Sequence, residues 1–60
     1  MFNTYSIYLD GECIAEVLGT EYAYEVYAKT KELADLLVVT AYLVWNGTGE
    51  IVAEYDPMEV

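Results

Sequence analysis

Residues 11–17 read GECIAEV and residues 49–55 read GEIVAEY, so a chain of 60 residues contains nearly the same seven letters twice. Each copy starts at a glycine that ends a turn-forming segment, Asp10-Gly11 in the first copy and residues 46–49 in the second. Within each copy, polar and apolar residues alternate with the period of two that is typical of a half-buried strand. We therefore expect each copy to be the return strand of a β-hairpin.

The first hairpin pairs residues 2–9, FNTYSIYL, with residues 12–18. Aromatic and β-branched residues favour a strand in the first of these segments. A three-residue turn ending at Gly11 would keep the apolar residues of both strands on one face, whereas a two-residue Asp10-Gly11 turn would mix the two sets. We favour the three-residue turn, which gives an inner face of Tyr5, Ile7, Cys13, Ala15 and Val17.

A single helix is predicted over about residues 21–37. Gly19 ends the preceding strand, and Thr20 is of the residue type that caps helix N-termini. Apolar residues then recur at helical spacing and form one stripe: Ala23, Val26, Tyr27, Thr30, Leu33, Ala34 and Leu37.

Two further strands, at about 39–45 and 50–55, complete a ββαββ order, and Asp56-Pro57 ends the last strand. We predict an α+β domain in which one helix packs on one face of a four-stranded antiparallel sheet. In the two repeats, alternation directs the following residues away from the helix: Glu12, Ile14, Glu16, Glu50, Val52 and Glu54. The uncovered face also carries Tyr8 and one of two pairs, either Tyr42 and Val44 or Leu43 and Trp45.

The small size of the chain bears on its stability. A domain of 60 residues buries a limited core and usually needs help from disulfides, a metal or association. Cys13 is the only cysteine and there is no histidine, which excludes an internal disulfide and a zinc site of the Cys/His type. We therefore expect a homodimer.

Residues suited to catalysis are scarce. Neutral-pH catalysis normally uses a group that titrates near that pH, or a nucleophile beside a base. The chain has no histidine and no arginine, Ser6 has no evident base, and Cys13 is predicted to face the core. We expect a protein that is not an enzyme and that holds no cofactor or metal.

The charge is strongly one-sided, with eleven carboxylates against Lys29 and Lys31 and a net charge of -9. Two lysines can neutralise few phosphates, so we do not expect nucleic acid as a direct partner. The charge either serves only solubility, in an acidic cytoplasmic protein, or binds a basic partner protein. We find no secretory signal and no apolar run of membrane-spanning length, and we expect a cytoplasmic location.

Carboxylates at short intervals are the candidate binding groups. Glu21 and Glu25 lie one helical turn, about 6 Å, apart, which is comparable to the spacing of phosphates along a DNA strand. Neighbouring tyrosines can add contact area, as aromatic residues do at interfaces. The candidate partner-binding residues are Glu12, Glu16, Glu50 and Glu54 on the sheet, Glu21, Glu25, Glu32 and Asp35 on the helix, and Tyr8, Tyr24 and Tyr42.

In size, charge, lack of arginine and histidine, and minimal αβ fold, the chain resembles the small acidic inhibitors encoded by phages and mobile elements, including anti-CRISPR proteins. Several of those inhibitors act as DNA mimics. The resemblance implies that the partner is a host defence nuclease, such as a CRISPR effector, or another protein that binds nucleic acid. The alternative is a small dimeric structural or regulatory module that docks through its uncovered sheet face.

Overall fold

The computed structural model describes residues 3–59. Its elements follow the order ββαββ and confirm the predicted α+β fold: β1 (Thr4–Leu9), β2 (Glu12–Leu18), α1 (Thr20–Leu37), β3 (Ala41–Trp45), β4 (Glu50–Tyr55) and a short 3₁₀ turn (Pro57–Glu59). The strands form one antiparallel sheet in the order β2-β1-β3-β4, and α1 packs on one face of it against β1, β3 and β2. Phe2, the first residue of the predicted strand 2–9, lies outside the described residues.

The first hairpin has a two-residue turn, so the prediction of a three-residue turn was wrong. Leu9 pairs with Glu12, and the two residues between them both have positive φ, 53° at Asp10 and 82° at Gly11. An Asp-Gly pair is well suited to this backbone, whose twist matches that of the strands. One residue pair later the register shifts, because Tyr8 pairs with Cys13 and Ile7 pairs with Ala15.

This register shift is a β-bulge at Ile14, and it resolves the mixing of faces that a two-residue turn would cause. The extra residue in β2 reverses the alternation once. Ala15 and Val17 consequently pair with Ile7 and Tyr5 on the side of the sheet that α1 covers.

The second hairpin also contains a β-bulge in its return strand. Trp45 pairs with Glu50 across the loop 46–49, and the register shifts where Val44 pairs with Ile51 and Leu43 with Ala53. The extra residue is Val52, which occupies the same place in its heptapeptide as Ile14 does in the first. The repeat in the sequence therefore corresponds to a repeated bulged strand.

The two hairpins are related by an approximate twofold axis perpendicular to the sheet. Ile7 and Leu43 pair with each other at its centre, and the pair Tyr5–Trp45 on one side corresponds to the pair Leu9–Ala41 on the other. The axis exchanges β1 with β3 and β2 with β4. It also relates the two bulges, which lie one in each edge strand.

The buried core lies between α1 and the two central strands and consists of Tyr5, Ile7, Ala23, Tyr27, Ala34, Ala41 and Leu43. The buried residues of α1 lie along one edge of the predicted apolar stripe and are Ala23, Tyr27, Thr30 and Ala34. Leu33 and Leu37, at the other edge, are 43% and 55% exposed. The predicted stripe is therefore buried along one edge only.

The ends of α1 also differ from the prediction. Gly19, with φ of 98°, is the N-cap residue and makes no side-chain cap, whereas the Thr20 hydroxyl shares a 3.1 Å hydrogen bond with the hydroxyl of Tyr5. At the other end Val38 adopts the left-handed conformation, and its N–H and that of Val39 both donate to the Ala34 carbonyl. These residues cap the helix, so β3 begins at Ala41 and not at residue 39.

No helix within residues 3–59 combines the length and the hydrophobicity needed to cross a lipid bilayer.

Candidate protein-binding surface

The face of the sheet opposite α1, which we call the outer face, consists of two rows of side chains that run across all four strands. The pairing of the strands fixes the rows because residues directly opposite each other share a face. The first row is Glu16, Ser6, Val44 and Ile51, and the second row is Cys13, Tyr8, Tyr42 and Glu54. The structure thus decides between the two predicted alternatives for β3 in favour of Tyr42 and Val44.

A stacked pair of tyrosines lies at the centre of the second row. The rings of Tyr8 and Tyr42 have centroids 4.8 Å apart and are inclined by 11° to each other. The two residues pair directly on the central strands β1 and β3, which brings their rings together. Stacking restricts both side chains, so the outer face presents an ordered aromatic surface.

Glu16 and Glu54 occupy opposite corners of the two rows, one on each edge strand. The approximate twofold axis exchanges them. Three strand spacings and a two-residue step along the strands separate them by about 16 Å. Both lysines belong to α1, so no described strand of the sheet carries a cation.

Apolar side chains surround these corners. Ile14 and Val52, the two bulge residues, are exposed, and so are Ile51 in the first row and Leu18 at the end of β2. Exposed apolar side chains grouped with aromatic rings are typical of a surface that binds another protein.

The bulges overturn part of the predicted outer face. Glu12 pairs with Leu9 and Glu50 pairs with Trp45, so both glutamates lie on the helix side of the sheet, at the ends next to the turns. Cys13, predicted to face the core, and Ile51, its counterpart in the second repeat, pair instead with Tyr8 and Val44 on the outer face, and the Cys13 thiol is exposed. In each case the reason is that the bulge adds one residue to the return strand, which reverses the facing of the residues between the turn and the bulge.

A signal for these bulges was present in the sequence. Each repeat contains three consecutive apolar residues, Cys13-Ile14-Ala15 and Ile51-Val52-Ala53, where strict alternation would place a polar residue second. The bulge absorbs that interruption and keeps both alanines on the helix side. Ile51 and Cys13 are the surface residues that sequence reasoning missed for this reason.

The predicted acidic residues of α1 do not join the outer face. Glu21, Glu25 and Glu32 are exposed on the side of α1 remote from the sheet. Tyr24 is also exposed and lines a shallow, open depression with Glu21 and Glu25. The helix carboxylates and the outer face are thus on opposite sides of the domain.

Asp35 has a partner within the domain. It accepts a 2.9 Å hydrogen bond from the hydroxyl of Tyr55 on β4. The Lys31 ammonium lies over the rings of Tyr27 and Tyr55, 5.6 Å and 6.0 Å from their centroids. These contacts join α1 to the edge of the sheet, so Asp35 acts in the fold as well as in the acidic surface.

Two tyrosines on this side of the core have raised pKa values. The hydrogen bond to Asp35 is the main reason that the pKa of Tyr55 lies above 10.0, with smaller contributions from desolvation and from the Asp35 charge. Burial is the main reason that the pKa of Tyr27 is raised, followed by the charges of Glu54 and Tyr24. The buried Tyr27 hydroxyl has no hydrogen-bond partner among the described residues.

The outer face offers stacking, apolar contact and negative charge for binding. Within residues 3–59, no three carboxylate or thiol side chains come together in a group that could hold a metal ion. In comparisons with known proteins, the chain matches no family, no curated protein and no solved structure.

Proposed function

We propose that this protein is a non-enzymatic inhibitor that occupies the basic nucleic-acid-binding cleft of another protein, with the outer face as its main contact surface. The observation that carries the proposal is the stacked pair Tyr8–Tyr42 set between Glu16 and Glu54 on a sheet without cations. The aromatic centre supplies anchoring area, and the carboxylates favour a cationic partner over a neutral one.

The overall charge supports the choice of a basic partner. A net charge of -9 repels nucleic acid and other acidic surfaces and attracts a cleft lined by lysine and arginine. A compact protein held in such a cleft would exclude the nucleic acid that normally binds there. Inhibition would then be competitive with nucleic acid and would weaken as salt screens the attraction.

The two acidic surfaces contribute differently to mimicry of nucleic acid. Glu21 and Glu25 on α1 retain the spacing of about 6 Å that resembles neighbouring phosphates. Glu16 and Glu54 lie about 16 Å apart, so the outer face matches a pair of separated cationic sites and not a row of them. A DNA-like pattern of charge is therefore confined to the helix.

The resemblance to acidic inhibitors from phages suggests the class of target. A nuclease of a bacterial defence system, such as a CRISPR effector, has a basic channel for nucleic acid. In this proposal the protein acts in the cytoplasm of a bacterial cell.

A second candidate function rests on the exposed apolar side chains Ile14, Leu18, Ile51 and Val52. A domain with a core of this size gains stability when such surface is covered. A dimeric structural or regulatory module could cover it with a second copy, and the charge would then serve only solubility. Sedimentation of such a dimer would give about twice the chain mass of 6.8 kDa.

The experiment compares two matched double variants in an assay of DNA cleavage by a purified CRISPR nuclease. E16Q/E54Q removes the charges of the outer face, and E12Q/E50Q removes the same number of charges from the same repeats on the other side of the sheet. We expect the first variant to lose inhibition by about tenfold or more and the second to retain it. Equal losses in both would show that only net charge matters, and retention in both would favour the dimeric module.

A further inference from the structure

One flank of α1 is largely apolar, and most of its large side chains are left exposed by the described residues 3–59. The opposite flank of α1 carries Lys31 and Asp35, which contact Tyr55 on β4. The apolar flank is therefore turned away from β4. Its side chains are Tyr22, Leu33, Leu36 and Leu37, which are 57%, 43%, 79% and 55% exposed. Val26, on the same flank, is half-buried against the core.

The spacing along this flank is that of a helix-packing seam. Tyr22, Val26, Lys29, Leu33 and Leu36 follow one another at intervals of four, three, four and three residues. We call these five residues the seam. A 4-3-4-3 repeat keeps side chains in line along a partner helix that crosses at a small angle, so the spacing specifies a helix as the occupant.

Carboxylates border the seam on its solvent side. Glu25 immediately precedes Val26, and Glu32 immediately precedes Leu33. Charged side chains at these two flanking positions meet the edge of a packed partner helix. On the opposite side the seam meets the buried residues Ala23 and Thr30. The charge that a partner encounters at the open edge is thus negative, apart from Lys29 within the seam.

This charge pattern discriminates between possible occupants. In an antiparallel pair of two copies, Glu25 of each chain would lie near Glu32 of the other, and each chain carries a net charge of -9. A partner helix with lysine or arginine at its bordering positions would instead complement Glu25 and Glu32. The observations therefore favour a different, basic chain over a second copy.

We infer that the seam is a docking site for an amphipathic helix of a partner protein, with an apolar stripe flanked by lysine and arginine. This site is separate from the outer face and does not depend on the function proposed for it. Binding would cover Leu33 and Leu36, the exposed leucines of the seam, and would bring cationic side chains to its acidic border.

The test uses a synthetic helical peptide of 18 residues, the length of α1, with leucines at seam spacing and lysines at the bordering positions. A second peptide has the same composition in permuted order, and a third has glutamate in place of lysine. Fluorescence anisotropy of the labelled peptides measures binding to the full chain and to three double variants: L33Q/L36Q and E25Q/E32Q in the seam region, and I14Q/I51Q on the sheet as a matched control. Circular dichroism checks that each variant is folded.

We expect L33Q/L36Q to weaken binding of the lysine peptide by about tenfold or more and E25Q/E32Q to weaken it several-fold, while I14Q/I51Q changes it by less than about twofold. The permuted peptide and the glutamate peptide should bind at least about tenfold more weakly. Equal binding of all three peptides, or an equal loss with the sheet variant, would overturn the inference. A dimer of the chain alone that L33Q/L36Q converts to a monomer would assign the seam to a second copy and would also overturn it.

Discussion

The indole ring of Trp45 occupies the space into which a side chain at Gly47 would project. A Cβ atom on residue 47 would lie 2.7 Å from two atoms of that ring. The ring packs against the buried core, so it cannot move away without losing contacts. We expect Gly47→Ala to displace the indole and to lower the free energy of unfolding by about 1–3 kcal/mol.

Trp45 is the only tryptophan, so its fluorescence reports this displacement directly. Gly49→Ala is the matched control, because a Cβ added at residue 49 would have no atom within 4 Å. Gly49 has a φ of 81°, which is unfavourable for alanine. This substitution should cost about 1 kcal/mol through backbone strain and leave the emission maximum unchanged. An unshifted emission spectrum in Gly47→Ala would contradict the contact.

The helix ends in a strained residue. Val38 has φ of 57° and ψ of 52°, a conformation that is costly for a β-branched side chain and free for glycine. Because its side chain is exposed, little packing is lost when it is removed. We expect Val38→Gly to raise the free energy of unfolding by about 1 kcal/mol in urea denaturation. Val38→Ala keeps the Cβ atom that the left-handed conformation disfavours, so it should bring a smaller gain than Val38→Gly.

Two leucines differ sharply in what they contribute to stability. Leu43 has no exposed surface and pairs with Ile7 at the centre of the sheet, whereas Leu36 is 79% exposed. We expect Leu43→Ala to cost about 2–5 kcal/mol, which approaches the whole stability that a core of this size supplies. Leu36→Ala should change the free energy of unfolding by less than about 0.5 kcal/mol. Similar losses in thermal unfolding would mean that Leu36 is buried in solution, for example in a dimer.

Tyr27 links stability to alkaline pH. Its folded-state pKa is raised by burial and by the charges of Glu54 and Tyr24. Its contribution to the free energy of unfolding is therefore complete below its unfolded-state pKa of 10.0 and is lost as the pH rises through its folded-state pKa. The unfolding free energy should therefore fall above pH 10. Tyr55, whose pKa is also raised, adds to the same decline.

The substitution Tyr27→Phe removes a buried hydroxyl that has no partner among the described residues. We expect it to raise the free energy of unfolding at neutral pH by about 1 kcal/mol and to flatten the decline above pH 10. Urea denaturation at several pH values checks both effects. A loss of stability at neutral pH would indicate that the hydroxyl is hydrogen-bonded in solution.

The order of elements could be predicted from the sequence because the signals for it are local. The two turn segments, one stretch of helical period and one proline suffice for ββαββ. The facing of Glu12, Cys13, Glu50 and Ile51 could not be predicted by alternation alone, because a single extra residue reverses it. The Asp-Gly turn and the three consecutive apolar residues that follow it have to be considered together.

The extent of the core also could not be predicted from the periodicity of the sequence. Helical spacing places Leu33 and Ala34 in one stripe, but only Ala34 is buried, since the direction in which α1 meets the sheet depends on tertiary packing. The stacked contact of Tyr8 with Tyr42 depends in the same way on which strands become neighbours. Of the predicted surface residues, Glu16, Glu54, Tyr8 and Tyr42 share the outer face, and the pairing of β1 with β3 brings the two tyrosines together.

The position of the two bulges has a consequence for aggregation. The sheet is open at both sides, and an edge strand with unpaired backbone groups is a template on which further strands can add. In this protein each edge strand is the one that carries the bulge, at Ile14 and at Val52. A bulge bends the strand and interrupts its regular ladder, so neither free edge offers a long straight run of donors and acceptors. The irregularity that places the side chains of the outer face thereby also discourages edge-to-edge addition of further strands into fibrils.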